Sequence, residues 1–478
     1  MISLLGFLPD VDPVTPGAIK DCNHIIPTTK GMKAAPSALD AGVTAASDVT
    51  NSLFATKKLD DTTRTFVGTD ETLEESSGGD WVDRSGDTYS CGTDYRWSFA
   101  QFGNYTLAAN RGDVMQVSVS TTFADIAGSP QARYIAVNQG FVMAVNLSTA
   151  ADGWHCSAYQ DHTDWTGPLS TQSTSGRIIS DNYFTGVKSF GDGFVAWKKN
   201  STYLATYVGS PVVFDFSEIP GDVGCPDGSA AVDIGDRIAF VGNGDDFYIF
   251  DGANNIPIGA GIREWFFTNL DPQNAHRTIA TYNRITANIT WHFVSNAAGD
   301  NNPNMAVVYN IHSNKWGKYA LTIEAASSSY IAPGLTYDDF GAEYLTWDDA
   351  HTDISYDSPV WLAGVALSGV MLTDHILYTL TGVPPNSTFT LNTFGDDEAY
   401  STVTRVRPRF ITAPQSSTIN YSYDDEYGDQ FSFFNTFDLK NGKYDLMHSA
   451  RWHEVKYNFV GNMEIIGTNV SIVMDGTQ

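Results

Sequence analysis

An all-β chain built on a β-propeller, with an extended N-terminal arm before it and a further β-rich region after it, is the fold this sequence predicts. Three observations lead there. The 478 residues are poor in charge (17%) and rich in aromatics (13%) and glycine (42 residues). That balance favours strands and tight turns over helices. Aromatic strand ends recur at the spacing of a propeller blade. Between them, glycine- and aspartate-bearing turns lead into short apolar strands. No long Ala/Glu/Lys/Leu-rich segment exists, which excludes coiled coils and helical bundles. The 42% hydrophobic content argues against a disordered chain and is enough for one large core or several ordinary ones.

Residues 1–48 form the arm. Pro9, Pro13, Pro16, Pro27 and Pro36 interrupt any regular element, and only a short helix near residues 38–46 is expected. The opening Met1–Leu8 has no basic n-region and runs into Pro9-Asp10, so it does not read as a signal peptide.

The propeller is assigned to residues 49–325. Its recurring aromatics are Trp81, Phe123, Trp165, Phe214, Trp265 and Trp316. They are separated by about 42, 42, 49, 51 and 51 residues, in the range of a four-stranded blade. Six blades of antiparallel strands are expected, each with an aromatic wedged against its neighbour. Trp361, about 45 residues past Trp316, would open a seventh. Inside the units, Gly103-Asn104, Gln139-Gly140, Gly191-Asp192 and Gly235-Asp236 precede apolar runs such as Phe141–Ala144 and Phe194–Ala196. Gly and Asp supply the positive φ of hairpin turns. Asp246–Gly252 encloses a further strand of β-branched and aromatic residues.

Residues 326–478 are assigned to an additional β-rich region, an extra blade followed by a C-terminal β domain. Ser417–Tyr423 and His453–Phe459 alternate like strands, and Pro384-Pro385 marks a boundary. Asp424–Asp429 is an acidic hairpin tip.

Net charge is −28 and the pI near 4.4. Tight nucleic-acid binding calls for a basic face, so it is not expected here. An acidic wall would instead repel phosphate and let DNA slide past, and anionic membranes are disfavoured for the same reason. The longest uncharged apolar stretch, residues 358–373, falls short of the roughly 20 residues of a membrane span, and Asp374 ends it. Cys22, Cys91, Cys156 and Cys225 contain no CxxC pair and read as free thiols in a reducing compartment.

No nucleophile elbow, phosphate-binding loop or zinc-protease helix occurs. No catalytic residue, cofactor or metal site is assigned, and an enzyme is not expected. Propellers host glycosidases, so a repeated Asp box is worth seeking. Its nearest approach, Ser355–Trp361, lacks the Gly and places the Trp early. His155 and His162 could meet across a hairpin, whereas the spacing of His448 and His453 points them to opposite faces of a strand. The turns Asn243–Asp246 and Asn296–Asp300 read as solvated rather than calcium-binding, since neither matches an EF-hand loop.

Two sticky elements stand out. Alternation puts Arg405, Arg407 and Arg409 on one strand face, and Pro408 marks that strand as an edge or a bulge. These arginines either pair with acids of a neighbouring subunit or guide phosphates, or are neutralised within the chain. The arm carries Leu4, Leu5, Phe7 and Leu8, too apolar to float free, and these are expected at contacts between subunits.

Several runs resemble the tail nozzle, or packaged-DNA stabilisation, proteins of short-tailed phages. They include Leu8-Pro9-Asp10-Val11-Asp12-Pro13-Val14-Thr15-Pro16-Gly17, Asp21-Cys22, Ile26-Pro27-Thr28, Lys30-Gly31 and Ala35-Pro36-Ser37. Arg96–Asn104, Ser157–Trp165, Tyr207–Pro211, Phe247–Gly252 and Glu264–Phe267 resemble them too. The resemblance covers residues 4–320 and thins after Gly382, where Arg407-Pro408-Arg409 and Arg451-Trp452-His453 remain similar. Its acidic tip at Asp424–Asp429 and the loop Asn296–Asn304 match no family pattern. The resemblance implies a non-enzymatic virion protein with one propeller per subunit. It implies a hexameric ring below the portal and head-to-tail adaptor, touching other tail components. Such a ring helps retain the packaged genome and encloses duplex DNA in its exit channel without binding it tightly. Localisation would be the virion tail, assembled in the host cytoplasm. The reading from another class is a tail-associated carbohydrate-binding or glycan-cleaving propeller.

Overall fold

The computed structural model describes all residues except 1, 93, 167–168, 181, 332–365, 427–429 and 478. Six four-stranded antiparallel units follow one another along the chain as propeller blades, spanning residues 52–83, 98–125, 132–177, 184–219, 231–257 and 279–320. Each is a meander of four consecutive strands. The six blades expected from the aromatic repeat are therefore present. A seventh four-stranded sheet completes the ring and is composite. It pairs Ala325–Ile331, Ala366–Met371 and Leu377–Gly382 with Ser37–Asp40 of the arm. First strands from all seven sheets line one axial cavity. Apart from the arm strand, the described strands of the seventh sheet lie from residue 325 onward, where an extra blade was expected. Trp361 and Ser355 lie outside the described residues.

The turn signals locate second strands. Gly103-Asn104, Gln139-Gly140, Gly191-Asp192 and Gly235-Asp236 each join the first strand of a blade to its second, at Tyr105–Ala109, Phe141–Leu147, Gly193–Lys198 and Ile238–Val241. The aromatic marks fare less evenly. Trp81, Phe214 and Trp316 sit in fourth strands, Phe123 directly before one, and Trp165 in the loop ahead of one. Trp265 is corrected: it lies in the α-helix Arg263–Asn269 between the fifth and sixth blades. That helix has no side-chain cap of its own at Ile262. Asp10 of the arm accepts from the Glu264 and Trp265 amides at 2.7 and 2.9 Å and so caps it from a distance.

After Pro384-Pro385 the chain builds a second body of two facing sheets. One carries Glu464–Thr477, Ala399–Thr412 and Tyr444–Ala450 in that order; the other carries Ser387–Leu391, Trp452–Val460, Ser416–Asp424 and Ser432–Asp438. Tyr421, Tyr444, Tyr457 and Phe459 fill the space between.

The arm has no helix near residues 38–46; it is a series of short strands used by other sheets. Gly6–Phe7 and Ala18–Asn23 extend the second sheet of the C-terminal body. Ile25–Pro27 and Met32–Ala34 bridge its first sheet to the last strand of the sixth blade, giving one ten-stranded sheet. Ile2–Ser3 pairs with Gly467 and Thr468. The crossing over the blade is close: a Cβ at Gly317 would stand 2.5 Å from the Ile25 carbonyl oxygen, which only glycine avoids. Lys318 Nζ reaches Asp21 at 2.8 Å and lies 5.0 Å from the centres of the Phe7 and Trp265 rings. Leu4, Phe7, Ile19, Trp316 and Tyr457 belong to one continuous core.

Candidate functional site

The axial cavity has a volume of about 410 Å³. Its charged lining residues are Arg96, Lys188, Asp227 and Asp233. Arg96 leads into the first strand of the second blade, and its guanidinium donates to the carbonyls of Asn51, Arg277 and Glu324 at 2.9, 3.1 and 3.3 Å. Burial, with Arg277 nearby, pulls its pKa down to about 10. Asp227, 3% exposed, accepts from the Tyr134 hydroxyl at 2.5 Å, the Ser229 amide at 2.9 Å and Arg133 at 3.2 Å. Burial first, then the Asp227 carboxylate, holds the Tyr134 hydroxyl protonated. Arg133 stacks over the Tyr95 ring at 4.5 Å. Lys188 comes from the first strand of the fourth blade, Phe184–Phe190, and burial lowers its pKa. Sequence reasoning singled out neither Lys188 nor Asp227. The one local signal was a lysine inside a first strand without an acid beside it.

The arginine strip is positioned as the alternation predicted. Arg405, Arg407 and Arg409 are all exposed on the strand Ala399–Thr412. Residues 401–406 of that strand are flanked on both sides, by Tyr444–Ala450 and Glu464–Thr477. From Arg407 onward only Glu464–Thr477 pairs with it, so Pro408 falls on the open stretch, next to register shifts after Arg409. Arg405 meets Asp445 at 2.9 Å. Among the described residues Arg407 and Arg409 have no ion-pair partner. Neutralisation within the chain therefore reaches one arginine of three.

The apolar arm residues divide. Leu4 and Phe7 are completely buried in the chain's own core, and Phe7 meets Trp265 edge-on at 5.0 Å. Their expected place at a contact between subunits is corrected, because the propeller and C-terminal body already cover them. Leu8 packs partly buried against the same core, while Leu5 is 42% exposed.

The histidines are brought together differently from the expectation. The chain turns at Arg451, so His448 and His453 lie on strands of opposite sheets and both contact the Tyr421 ring. His453 bonds Ser401 at 2.8 Å and Tyr421 at 2.5 Å. His162 lies tilted against Tyr105, ring centres 4.3 Å apart, and His155 meets Trp165 edge-on at 5.3 Å, each in an aromatic setting. Among the described residues no three His, Cys, Asp or Glu side chains cluster as a metal site. In the turn Asn243–Asp246, Asp245 accepts from Tyr248, and Asp246 accepts from the Phe247 and Gly259 amides. The four cysteines are free and buried. Burial raises the thiol pKa to about 12 at Cys22 and Cys91 and about 11 at Cys156. No helix of the described residues is long and apolar enough to cross a membrane.

No family model and no curated protein matches the chain. Solved structures of low similarity to it include the following three. YCF48 bound to a D1 peptide is 12% identical over 80% of this chain and 98% of its own, with a TM-score of 0.34. PorZ, a surface component of the type-IX secretion system of Porphyromonas gingivalis, is 9% identical over 85% of this chain and 53% of its own, with a TM-score of 0.39. BamB from Moraxella catarrhalis is 9% identical over 75% and 93%, also with a TM-score of 0.39.

Proposed function

We propose that this chain is a virion structural protein, a tail nozzle subunit. Six copies form a ring below the portal and adaptor, help retain packaged DNA and enclose its exit channel. The role needs no catalysis and no cofactor. The observation that carries the reading is the strip at Arg407 and Arg409. It offers two exposed guanidinium groups without an ion-pair partner among the described residues, on an open strand edge of a molecule with net charge −28. A second copy presents abundant carboxylates to such a strip, and arginine pairs with carboxylates bidentately. The sequence runs that resemble phage nozzle proteins add to this. An axial cavity of about 410 Å³ has the size of a small-ligand pocket, so the proposed ring would carry DNA through the opening between subunits rather than along a propeller axis.

The test is assembly. Purified chain with portal and adaptor should give six-fold rings in electron-microscope class averages. The R407E/R409E double variant should keep its circular dichroism and melting temperature yet fail to enter rings. The assembled ring should not retard duplex DNA at physiological salt. Rings formed normally by the double variant would remove the strip from the interface. Polysaccharide turnover by the isolated chain would replace the nozzle reading with a glycan-cleaving one.

A further inference from the structure

We propose that the axial cavity of the propeller is a binding site for a small oxyanion, a phosphate or a carboxylate, held by Lys188. Three cations, Arg96, Arg133 and Lys188, are placed within electrostatic reach of the carboxylate Asp227, and Asp233 also acts on Lys188. Both oxygens of the Asp227 carboxylate are already engaged. Oδ2 takes the Tyr134 hydroxyl and Arg133, and Oδ1 takes the Ser229 amide. Asp233, the other acid of the lining, is exposed and spends an oxygen on the Gly235 amide at 2.7 Å. Arg96 is satisfied by three backbone carbonyls, which are dipoles and leave its charge uncompensated.

Lys188 is the group left over. Lys188 lines the cavity, and no acceptor for its ammonium is found among the described residues. Asp227 and Asp233 act on it electrostatically, but neither accepts a hydrogen bond from it, so its donors are unmatched by protein. An anion in the cavity supplies the missing acceptors. Ser189, next to Lys188, and Ser329, from the seventh sheet, bring hydroxyls into the same lining, and hydroxyls donate to oxyanions as readily as to water. About 410 Å³ lies within the range of small-ligand pockets. Phosphate or a compact carboxylate fits; a nucleic-acid strand with its sugars and bases does not. The lining balances Arg96 and Lys188 against Asp227 and Asp233, in a chain of net charge −28.

The experiment is a titration of the full chain with sodium phosphate, and in a parallel arm with sodium citrate. Ionic strength is held constant with chloride, and melting temperature and titration heat are the readouts. Wild type should show a saturable rise in melting temperature and measurable heat with at least one of the two anions. Whichever anion acts identifies phosphate or carboxylate as the ligand class. K188M should lose the saturable response, with affinity reduced at least tenfold, while K440M, at an exposed position, should respond as wild type does. K188M should also match wild type in stability in phosphate-free buffer, because Lys188 makes no hydrogen bond or ion pair among the described residues. Absence of any saturable response in wild type would overturn the site. So would an equal response in all three proteins, which marks a general salt effect.

Discussion

The propeller and the C-terminal body are both made of antiparallel strands, yet they are assembled by opposite rules. Each of the first six blades closes on itself from four consecutive strands joined by short turns. The C-terminal body closes only with strands from the other end of the chain, since Ala18–Asn23 and Met32–Ala34 sit in its two sheets. Local closure makes a blade an independent stack of hairpins. Remote closure makes the sandwich conditional on the arm. Loss of a local element should therefore weaken one blade interface, whereas loss of the arm should undo a whole body.

The largest expected effect breaks that contrast directly. Deleting residues 1–40 removes strands from the sandwich and from the seventh sheet at once. The expected cost exceeds the about 3–5 kcal/mol of the largest single core truncations. Limited proteolysis should cut after residue 382 while the blades between residues 98 and 257 stay protected. Uniform resistance across the chain would mean that the sandwich closes without the arm.

Next in size is Trp316→Ala. Trp316 is 1% exposed and packs on Phe247, Trp291 and Tyr309, so about 3–5 kcal/mol should be lost in urea unfolding. Trp265→Ala should cost less, because that ring is only partly buried.

Acid sharpens the comparison with one probe in each body. Burial depresses His292 of the sixth blade to about 3 and His453 of the sandwich to about 4. Both are depressed below the unfolded value of 6.5. The unfolded chain therefore takes up protons first, and stability falls as pH drops below 6.5. The fall from His453 ends near pH 4 and that from His292 near pH 3. Between pH 7 and 4.5 each should remove roughly 2–3 kcal/mol. Urea midpoints of H453Q and H292Q, compared at the two pH values, should show the loss shrinking by one share in each. A pH dependence identical to wild type in both would remove these groups as its source.

The smallest effect tests the long-range cap. Asp10→Ala leaves the Glu264 and Trp265 amides unpaired and should cost about 1 kcal/mol, with Asp10→Asn retaining most of it. A melting temperature unchanged by Asp10→Ala would show that water serves those amides equally well.

What was legible in the sequence follows the same division. Hairpin turns announce second strands because positive φ must be met locally, by residues such as Gly140 and Gly191. The Arg405–Arg409 alternation was legible because strand periodicity is local too. The strands Ser416–Asp424 and Trp452–Val460 were visible individually, but not the sheet they share with Ala18–Asn23. Trp265 was misread because its helix is capped by a residue 255 positions away. Glu264-Trp265-Phe266-Phe267 carries no capping signal and looks like a strand. His448 and His453 were separated by a strand rule that fails where the chain turns between them. Lys188 passed unnoticed because an unpaired cation becomes conspicuous only when the ring of first strands encloses it.

Pairing of Ile2 with Thr468 has a consequence in time. A ribosome adding about 5–20 residues per second needs roughly 20–90 s to pass from one to the other. The blades emerge in order and can complete themselves during that interval. Leu4, Phe7 and the open edges beside them must wait, apolar and unmatched, until the last strand leaves the exit tunnel. Until then the newborn chain is a nearly finished wheel trailing an unfastened strap, and its exposure to wrong partners is set by the speed of translation.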